Sequence, residues 1–390
     1  MRILQLITNA SYGGHPLHVM TLSQGLVRLD NDVVLISMRG GPLVPVFERF
    51  EIPVKVIPFQ SRLMKRNPVL PVQVLSRLRQ TIRIAAPDIV HTHGPRAHFF
   101  GTLTAKSAGL ISVSTIHGSL TQFTSGEFKE DGLIKQELKR LKYGLTDRLA
   151  ARMGGHMIAV CNATKRELVH NLGIAEERIT TIHNGIDEID VDMNESVRLR
   201  RDLGFADDAF LFTYVGRITF QKGVSDLVNA AIKVATTSPS ACFLLVGEGA
   251  LAESLKKRVV AAGLSDRIVF AGTRPDAVSL MAASQAVVLP SLSEGLSLTL
   301  LEAAMMGRAT ITTNVGGNPE IVKDGITGIL TRLRDPGALA SAMNDLMENP
   351  EKRKNMGCAA RELWKSEFTA DRMVARTEAL YQDLLQASGK

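Results

Sequence analysis

The sequence has few cysteines and few aromatic side chains. Of its 390 residues only three are cysteine, at positions 161, 242 and 358, and 5% are aromatic. Cysteines this far apart match neither a disulfide framework nor the close ligand spacing of a structural zinc site. Basic residues without interleaved aromatics are also a poor fit to nucleic acid, so we expect no nucleic-acid partner.

Long apolar runs are absent as well. No run approaches the roughly 18 apolar residues that a membrane-spanning helix needs. The opening residues 1–8 are interrupted by Gln5, so we expect a first β-strand there rather than a signal peptide. These features predict a cytoplasmic protein, which could still lie on the inner face of the cell membrane.

Excess positive charge is confined to the first half of the chain. Residues 1–190 carry 23 Lys and Arg against 16 Asp and Glu, whereas residues 191–390 carry 23 of each. An anionic acceptor, a lipid phosphate or a membrane surface would explain this asymmetry. Within residues 126–154, leucines recur at helical spacing with basic residues between them. That pattern fits a membrane-surface helix, and fits slightly better a helix packed on its own domain with a solvated basic face.

The length and the hydrophobic pattern predict two α/β domains. A chain of 390 residues exceeds what one hydrophobic core normally fills. Short β-branched runs alternate with helical patterns, which is typical of parallel βα units and of doubly wound, Rossmann-like sheets. The acidic, apolar-poor residues 187–208 are the expected linker. The predicted strands are 3–8, 33–37, 54–57, 88–92, 112–116, 156–160, 179–182, 210–215, 242–246, 268–270, 286–289, 310–312 and 328–330.

Two carboxylates stand eight positions apart near the end of the second half. The segment from 298 to 306 is apolar except for Thr299 and Glu302, which predicts a buried helix. A carboxylate on such a helix is costly unless hydrogen bonds are donated to it. Glu294 precedes this helix on a loop, and the free N–H groups of the helix start, between the two carboxylates, favour an anion.

Two cations follow the first strand of the second half. Arg217 and Lys222 stand in a stretch that looks like a P-loop, but Gln221 replaces the glycine and no Ser or Thr follows the lysine. We therefore reject a Walker motif. A pair of cations at a strand end is instead a plausible clamp for a diphosphate leaving group.

The loop after the next strand fits a weak dinucleotide fingerprint. Gly247 and Gly249 begin a G-x-G-x-x-A pattern, and Asp266 lies 17 residues further on, a little short of the expected acidic partner. This pattern is the main support for an alternative function as an NAD-dependent oxidoreductase.

Glycines and histidines follow the strands of the first half. Gly13 and Gly14 precede a helix and could offer N–H groups to a phosphate. His117 follows the fifth predicted strand, where a lone histidine is more often structural. His91 and His93 suggest a metal pair, but we expect them on opposite faces of their strand and expect no third ligand near them.

Taken together, these motifs resemble a known enzyme family. The Glu294-x7-Glu302 spacing, with Arg217 and Lys222 before it and His117 in the first half, resembles the retaining nucleotide-sugar glycosyltransferases of family 4, which have the GT-B fold. The resemblance can be followed along nearly the whole chain. It implies an acceptor-binding domain at 1–190, a donor-binding domain at 191–370 and a final helix at 371–390 that crosses back to the first domain. The active site is then expected in the cleft between the two domains.

The resemblance also implies roles for these residues. Arg217 and Lys222 would hold the departing diphosphate in place of a metal ion. Glu302 would accept hydrogen bonds from the ribose, Glu294 would position the donor sugar, and His117 would contact that sugar. The implied catalytic residues are His117, Glu294, Arg217 and Lys222. The implied donor-binding residues are Gly14, Arg217, Lys222, Gly247, Thr273, Arg274, Glu294, Leu298, Thr299 and Glu302, with His93 and Arg96 as acceptor-side candidates.

The family resemblance sets the expected reaction and leaves some features unexplained. We expect metal-independent, retaining transfer from a nucleotide sugar, UDP favoured over GDP, to a glycan or lipid-linked acceptor in cell-surface polysaccharide or glycolipid synthesis. The family usually has Pro or Gly at the place of Ser297, and commonly Asp at the place of Gly118, so acceptor activation is unexplained. The D-x-D patterns at 30–32 and 190–192 are expected to be solvated loop charges. A nucleotide-sugar 2-epimerase and a non-enzymatic sugar-binding protein are further alternatives.

Overall fold

A computed structural model describes residues 1–58, 70–118, 148–149, 152–153 and 155–389. The basic helical pattern of residues 126–154 lies almost entirely outside these ranges. The chain divides into two α/β units. Among the described residues, 1–118, 148–187 and 369–389 belong to the first unit, and 188–368 form the second.

The first unit is built on a parallel sheet of seven strands in the order β3-β2-β1-β4-β5-β6-β7. The strands are β1 (Arg2–Ile7), β2 (Asp32–Ser37), β3 (Val54–Val56), β4 (Ile89–His93), β5 (Ile111–Ile116), β6 (His156–Ala159) and β7 (Ile179–Thr181). The helices are α1 (Gly14–Arg28), α2 (Val44–Arg49), α3 (Leu70–Ala85), α4 (Pro95–Ser107), α5 (Asn162–Leu172), the 3-10 helix Glu176–Arg178 and α14 (Ala370–Ala387).

The second unit is built on a parallel sheet of six strands in the order β10-β9-β8-β11-β12-β13. The strands are β8 (Phe210–Val215), β9 (Ala241–Val246), β10 (Ile268–Gly272), β11 (Ala286–Leu289), β12 (Ala309–Thr313) and β13 (Gly328–Thr331). The helices are α6 (Met193–Asp202), the 3-10 helix Phe220–Lys222, α7 (Val224–Thr237), α8 (Ala252–Ala261), α9 (Ala277–Ala282), α10 (Leu298–Met305), α11 (Asn318–Ile321), α12 (Pro336–Glu348) and α13 (Pro350–Glu367).

All thirteen strands predicted from the sequence are present, and the predicted fold class of two doubly wound α/β domains is confirmed. The strand runs are continuous in hydrophobicity because helices cover both faces of a parallel sheet. Every residue of β9 is buried, for example. The parallel arrangement also brings the carboxyl ends of all strands in a sheet to one edge.

Side chains of β1 alternate between two hydrophobic cores. Ile3 and Ile7 pack with α1 and α14 on one face of the sheet, whereas Leu4 and Leu6 pack with α3 and α4 on the other. This is the two-residue period of a strand buried on both sides. Gln5 therefore points into the same face as Ile3 and Ile7, and it is fully buried there.

The C-terminal helix α14 belongs to the first unit. Its side chains join the core formed by β1 and α1. Gly25 allows the close contact between α1 and α14, since a Cβ at that position would lie 2.3 Å from Cγ2 of Val374. A substitution of Gly25 would therefore separate these two helices.

The prediction that residues 187–208 form the linker between the domains is wrong for most of its length. The second unit begins at Glu188, and residues 193–202 form the helix α6. The physical reason is the helix cap at Asp192, whose carboxylate accepts hydrogen bonds from the N–H groups of Asn194 (2.8 Å) and Glu195. Such a cap stabilises a helix even in a polar, acidic sequence.

Candidate active site

The carboxyl edge of the second sheet collects the residues singled out in the sequence. Arg217 follows β8, Gly247 follows β9, Thr273 follows β10 and Glu294 follows β11. These four strands are neighbours in the sheet. Because all of them are parallel, their loops lie together beyond one edge of the sheet.

Lys222 and Glu294 form the central ion pair of this edge. The Lys222 Nζ donates to Glu294 Oε1 at 2.5 Å, and the two side chains are only 17% and 9% exposed. The Ser291 hydroxyl donates to the same oxygen at 2.6 Å. The pair therefore joins the loop after β8 to the loop after β11, and holds a cation and an anion largely shielded from water.

The backbone around Lys222 is fixed by close contact between these two loops. Gly223 has a φ of +65°, and a Cβ there would lie 1.9 Å from the carbonyl oxygen of Pro290. The N–H of Leu292 donates to the carbonyl of Gln221 at 2.8 Å. Only glycine fits at 223, because a side chain would be strained by both the backbone angle and the contact.

Gln221 organises the cationic loop, a role that the sequence did not reveal. Its amide oxygen accepts a hydrogen bond from Arg217 Nη2 at 3.1 Å, and its side chain is 3% exposed. The Tyr214 hydroxyl donates a hydrogen bond to the Arg217 carbonyl at 2.7 Å. The guanidinium stays exposed while its backbone is fixed. The residue that excluded a Walker motif therefore positions one of the two cations.

Glu302 lies in a different environment from Glu294. It stands on α10, and no described side chain or backbone group forms a hydrogen bond or ion pair with its carboxyl. Burial raises the pKa of Glu302 to about 7. A carboxyl in this state accepts hydrogen bonds readily, since any donor that reaches it replaces the water lost on burial.

The start of α10 explains the unusual Ser297. Its hydroxyl accepts a hydrogen bond from the N–H of Leu300 at 3.4 Å, which makes Ser297 the helix cap. The first N–H groups of the helix, those of Leu298 and Thr299, are not taken by this cap. They are therefore the amides that an anion at the helix start would meet.

The glycines at 247 and 249 are required by contacts between loops. A Cβ at Gly247 would lie 2.0 Å from the carbonyl oxygen of Gly216, and a Cβ at Gly249 would lie 2.3 Å from that of Ile218. The N–H of Gly247 already donates to the Gly272 carbonyl at 2.7 Å. These contacts account for the G-x-G pattern without a dinucleotide, so the main support for an oxidoreductase is removed.

Thr273 and Arg274 lie on the neighbouring loop after β10. Thr273 is exposed. Arg274 forms a two-pronged ion pair with Asp276, with distances of 2.8 and 2.6 Å. The hydrogen bonds from Arg274 lower the pKa of the Asp276 carboxyl. The guanidinium is thus held in one orientation by its own loop.

The first unit contains a cluster of imidazole rings near the ends of β1, β4 and β5. The ring of His117 stacks on His15 and meets His18 edge-on, each with centroids 4.6 Å apart. His93 Nδ1 and His117 Nε2 lie 3.0 Å apart. Burial, together with neighbouring imidazoles, lowers the pKa of both rings well below the usual value. The rings are therefore neutral at physiological pH.

His18 is a member of this cluster that sequence reasoning missed. Burial, and secondarily the nearby His15, lower its pKa to about 3, with a smaller opposing effect of Asn184. It lies on α1, one turn after the Gly13-Gly14 turn, and nothing in a linear sequence shows which strand ends that turn will meet. Only the strand order places it beside His93 and His117.

The prediction that His91 and His93 lie on opposite faces of their strand is wrong. The residues are two positions apart on β4 and share one face, with ring centroids 4.2 Å apart. His93 is 2% exposed, and its two nitrogens lie within hydrogen-bonding distance of Gln5 and His117. This geometry does not fit direct contact between His93 and an acceptor.

The expectation that no third ligand lies near His93 is also wrong. Among the described residues, His18, His93 and His117 have ring nitrogens that lie within 4.8 Å of one another, near enough to share a metal ion. Neutral imidazole is a good ligand for zinc and similar ions. However, His93 Nδ1 and His117 Nε2 are already within hydrogen-bonding distance of each other. A bound ion would have to replace that hydrogen bond.

The other predicted residues of the first unit lie at helix starts. Gly14 is the first residue of α1, and no side chain caps that helix. Arg96 lies in the first turn of α4 and is partly exposed.

The expectation that the D-x-D patterns are solvated loop charges is wrong for two of the aspartates, because Asp192 caps α6 and Asp32 begins β2 and pairs with Arg2 at 2.6 Å. Asp30 lies in a turn with a φ of +59°.

In the described part of the chain, no helix is both long and apolar enough to span a membrane. The two halves of the chain match two family models. The model described as Glycosyltransferase Family 4 matches residues 12–188, and the model described as Glycosyl transferases group 1 matches residues 196–363. Between them they cover most of the chain.

Individual proteins give the same picture. An uncharacterized glycosyltransferase of Methanocaldococcus jannaschii is 24% identical over 97% of this chain and 96% of its own length. The UDP-Gal:alpha-D-GlcNAc-diphosphoundecaprenol alpha-1,3-galactosyltransferase of Escherichia coli is 29% identical over 80% of this chain and 79% of its own. The crystal structure of Anabaena HepE in complex with UDP is similar with a TM-score of 0.82 and 22% identity, over 98% of this chain and 100% of HepE.

Proposed function

This chain belongs to glycosyltransferase family 4 and has the GT-B fold. From that premise we propose that it transfers a sugar from a UDP-sugar donor to a glycan or lipid-linked acceptor. We propose further that the anomeric configuration is retained and that no metal ion takes part. The enzyme is a nucleotide-sugar glycosyltransferase of the hexosyltransferase class. The donor base, the stereochemistry and the acceptor are the parts that we propose.

The observation that carries this proposal is the ion pair between Lys222 and Glu294, with Arg217 on the same loop as the lysine. The exposed guanidinium and the partly shielded ammonium provide positive charge at a strand end. A diphosphate bound there would share the ammonium with Glu294. Its affinity for the site should grow as negative charge develops on the leaving oxygen.

The proposed chemistry follows from that charge. The bond between the anomeric carbon and the diphosphate oxygen breaks, the electron pair goes to the diphosphate, and the sugar passes through an oxocarbenium-like state. The acceptor hydroxyl oxygen then bonds to the anomeric carbon on the face that the diphosphate leaves, and its proton passes to the released diphosphate. Arg217 and Lys222 stabilise the departing anion, helped by the N–H groups of Leu298 and Thr299. Glu294, aligned by Lys222, accepts hydrogen bonds from the donor sugar, and His117 contacts the same sugar.

Glu302 is proposed to bind the ribose. Its carboxyl has no hydrogen-bond partner among the described residues, and burial raises its pKa to about 7. Two ribose hydroxyls can donate to both carboxyl oxygens and so stabilise the ionised form. Binding of the nucleoside should therefore release a proton from Glu302 near neutral pH.

The choice of UDP is supported by what similar proteins bind. HepE has crystal structures in complex with UDP and with UDP-glucose, and the relative from Escherichia coli is named for a UDP-Gal donor and a diphosphoundecaprenol acceptor. Thermal-shift titrations with UDP and GDP test this choice, because at equal concentration the ligand that binds more tightly stabilises the folded protein more. We expect UDP to raise the melting temperature at lower concentration than GDP.

The decisive experiment separates transfer from the alternatives. The protein is incubated with a panel of nucleotide sugars, with and without a lipid extract, and free UDP and GDP are measured. We expect UDP release that depends on the extract. A 2-epimerase would convert the sugar without an acceptor, an oxidoreductase would change nicotinamide absorbance, and a sugar-binding protein would release nothing.

Metal independence has its own test. EDTA should leave UDP release unchanged, because Arg217 and Lys222 supply the charge that a divalent ion gives in other enzymes. Loss of activity in EDTA that returns with Mg²⁺ or Mn²⁺ would overturn this part of the proposal.

We also propose that the first unit can lie on an anionic membrane. Helix α3 exposes Val72 and Ile84, at 63% and 72%, beside the exposed Arg79 and Arg83. Apolar and basic side chains on one exposed surface are typical of interfacial helices. Together with the net positive charge of the first half, this surface would bring the enzyme to a lipid-linked acceptor.

A further inference from the structure

We infer that Gln5 and His93 act as positioning residues that fix the tautomer of His117, so that His117 presents its Nδ1 lone pair to the donor sugar. The inference rests on the proposed function for the contact between His117 and the sugar. It adds a role for two buried residues that touch no ligand themselves.

The observation is a short chain of hydrogen bonds across the sheet. Gln5 Oε1 lies 2.8 Å from His93 Nε2, and His93 Nδ1 lies 3.0 Å from His117 Nε2. The three residues come from β1, from the end of β4 and from the residue after β5. Gln5 and His93 are 0% and 2% exposed, whereas His117 is partly exposed.

The direction of these hydrogen bonds follows from elementary donor and acceptor chemistry. An amide oxygen can only accept, so His93 carries its proton on Nε2 and donates it to Gln5. A neutral imidazole has one N–H group, and His93 Nδ1 must therefore accept. The proton between the two rings then belongs to His117 Nε2, which leaves His117 Nδ1 without a proton.

The surroundings keep both rings neutral, as this reasoning requires. Both rings lie among other imidazoles, and loss of solvation is the main cause that lowers the pKa of both His93 and His117. A second proton on either ring would place a cation in this cluster, and on His93 it would also occupy the nitrogen that accepts the hydrogen bond from His117. His93 and His117 are thus each restricted to one tautomer at physiological pH.

The tautomer of His117 sets the direction of its hydrogen bond to the sugar. With Nδ1 unprotonated, His117 accepts a hydrogen bond from a sugar hydroxyl. With the other tautomer it could only donate at that atom, and the same hydroxyl would have to turn. The buried amide of Gln5 would therefore determine whether His117 accepts or donates the hydrogen bond to the sugar.

A second chain of hydrogen bonds offers a matched control. His91 Nε2 lies 2.7 Å from the Thr115 hydroxyl, and His91 Nδ1 lies 2.5 Å from the Tyr381 hydroxyl. Thr115 is as buried as Gln5 and lies in the same sheet, but it forms no link between His93 and His117. Thr115→Val removes its hydroxyl with little change in volume.

The first test reads the tautomer directly and needs no activity. The enzyme is labelled with ¹⁵N-histidine, and long-range ¹H–¹⁵N correlation spectra are recorded near pH 7.5, with signals of the nine histidines assigned through His93→Gln and His117→Gln. We expect His93 and His117 both in the Nε2–H form. A spectrum with His117 in the Nδ1–H form overturns the inference, whatever reaction the enzyme performs.

The second test links the tautomer to turnover. Gln5→Met keeps the size of the buried side chain and removes the acceptor, so His117 should show mixed tautomers and kcat should fall about tenfold, the loss of one oriented hydrogen bond. Gln5→Glu keeps an acceptor oxygen and should restore the Nε2–H form of His93. Thr115→Val should leave the His117 signals and kcat as in the wild type.

The outcomes separate this inference from the proposed function. Unchanged His117 signals and unchanged kcat in Gln5→Met would overturn the positioning role even if sugar transfer is established. Wild-type spectra as expected, with no transfer in any variant, would instead count against the proposed function. Melting temperatures of all variants identify any loss that is due to misfolding.

Discussion

At the scale of single residues, Glu294 and Glu302 have opposite surroundings despite their shared motif. Glu294 accepts hydrogen bonds from Lys222 and Ser291, and its charge is balanced within the protein. Glu302 has no such donor among the described residues, and burial raises its pKa to about 7. The first carboxylate is part of a fixed ion pair, whereas the second is a site that a ligand can complete.

Glu302→Gln should stabilise the ligand-free protein above pH 7. The wild-type carboxyl titrates near 7 when folded and near 4.5 when unfolded, so its ionisation opposes folding as the pH rises through this window. The amide does not ionise and avoids that cost. The free energy of unfolding of Glu302→Gln should therefore exceed that of the wild type by nothing below pH 4.5 and by about 3 kcal/mol above pH 7. Chemical denaturation from pH 4.5 to 8 measures it.

The same substitution should weaken UDP binding, because an amide accepts fewer ribose hydrogen bonds than a carboxylate. We expect a loss of about 1–3 kcal/mol, read by isothermal titration calorimetry. Glu253→Gln is a suitable control, since Glu253 lies on the exposed face of α8 and pairs only with Lys256 among the described residues. Equal effects of the two substitutions on UDP affinity would refute the assignment.

At the scale of secondary structure elements, two loops determine the geometry of the cations. The 3-10 helix Phe220–Lys222 ends at Gly223, whose backbone touches the carbonyl of Pro290. This contact sets where Lys222 meets Glu294. The ion pair is therefore a result of packing between backbone segments as much as of attraction between charges.

Gly223→Ala should destabilise the protein and disturb the ion pair. The new Cβ would have to occupy a position 1.9 Å from a carbonyl oxygen, at a φ of +65°. We expect a loss of about 3 kcal/mol or more in the free energy of unfolding. Gly263→Ala is the matched control, because its φ is +68° and nothing lies within 4 Å of its Cβ. That change should cost only about 1–2 kcal/mol. Equal losses in urea titrations would show that the contact has no energetic effect.

The sequence predicted the strands well and the histidine cluster poorly, for a physical reason. Apolar runs such as residues 242–246 indicate a buried strand by their composition alone. The meeting of His18, His93 and His117 depends on β1 and β5 lying on either side of β4, which no local pattern encodes. Helix α6 was predictable in part: Asp192 followed by Glu195 is a capping pattern, and the acidic composition concealed it.

The candidate site was predictable where chemistry is local. Arg217, Lys222, Glu294 and Glu302 were found because charged residues at strand ends and on an apolar helix are unusual. Gln221 was missed because a glutamine beside two cations has no characteristic signature. Its part in fixing Arg217 emerges only from the 3.1 Å contact in the folded chain.

At the scale of the whole molecule, the distribution of charge suggests where the enzyme works. The excess of positive charge lies in the first half of the sequence, and α3 of the first unit presents arginines beside exposed apolar side chains. A lipid-linked acceptor would be met at such a surface. The neutral second half binds a soluble donor in this account.

Membrane association should depend on α3. Replacing both Val72 and Ile84 by aspartate should reduce binding to vesicles that contain anionic lipid, in a co-flotation assay at low salt. The change removes the apolar side chains that would enter the lipid and adds carboxylates that anionic lipid repels. Val260→Asp is the control, since Val260 is 65% exposed on α8 of the second unit. Binding that neither the double substitution nor salt alters would argue against this surface.

The central claim is that Arg217 and Lys222 stabilise the departing diphosphate without a metal ion. It is tested most directly by the kcat of acceptor-dependent UDP release in EDTA, compared among the wild type, Arg217→Ala, Lys222→Ala and the exposed control Lys256→Ala. Removing one such group from a transition state should lower kcat by about 10²–10³-fold, with the control unchanged and the folds intact by melting temperature. Near wild-type kcat in both Arg217→Ala and Lys222→Ala would contradict the account.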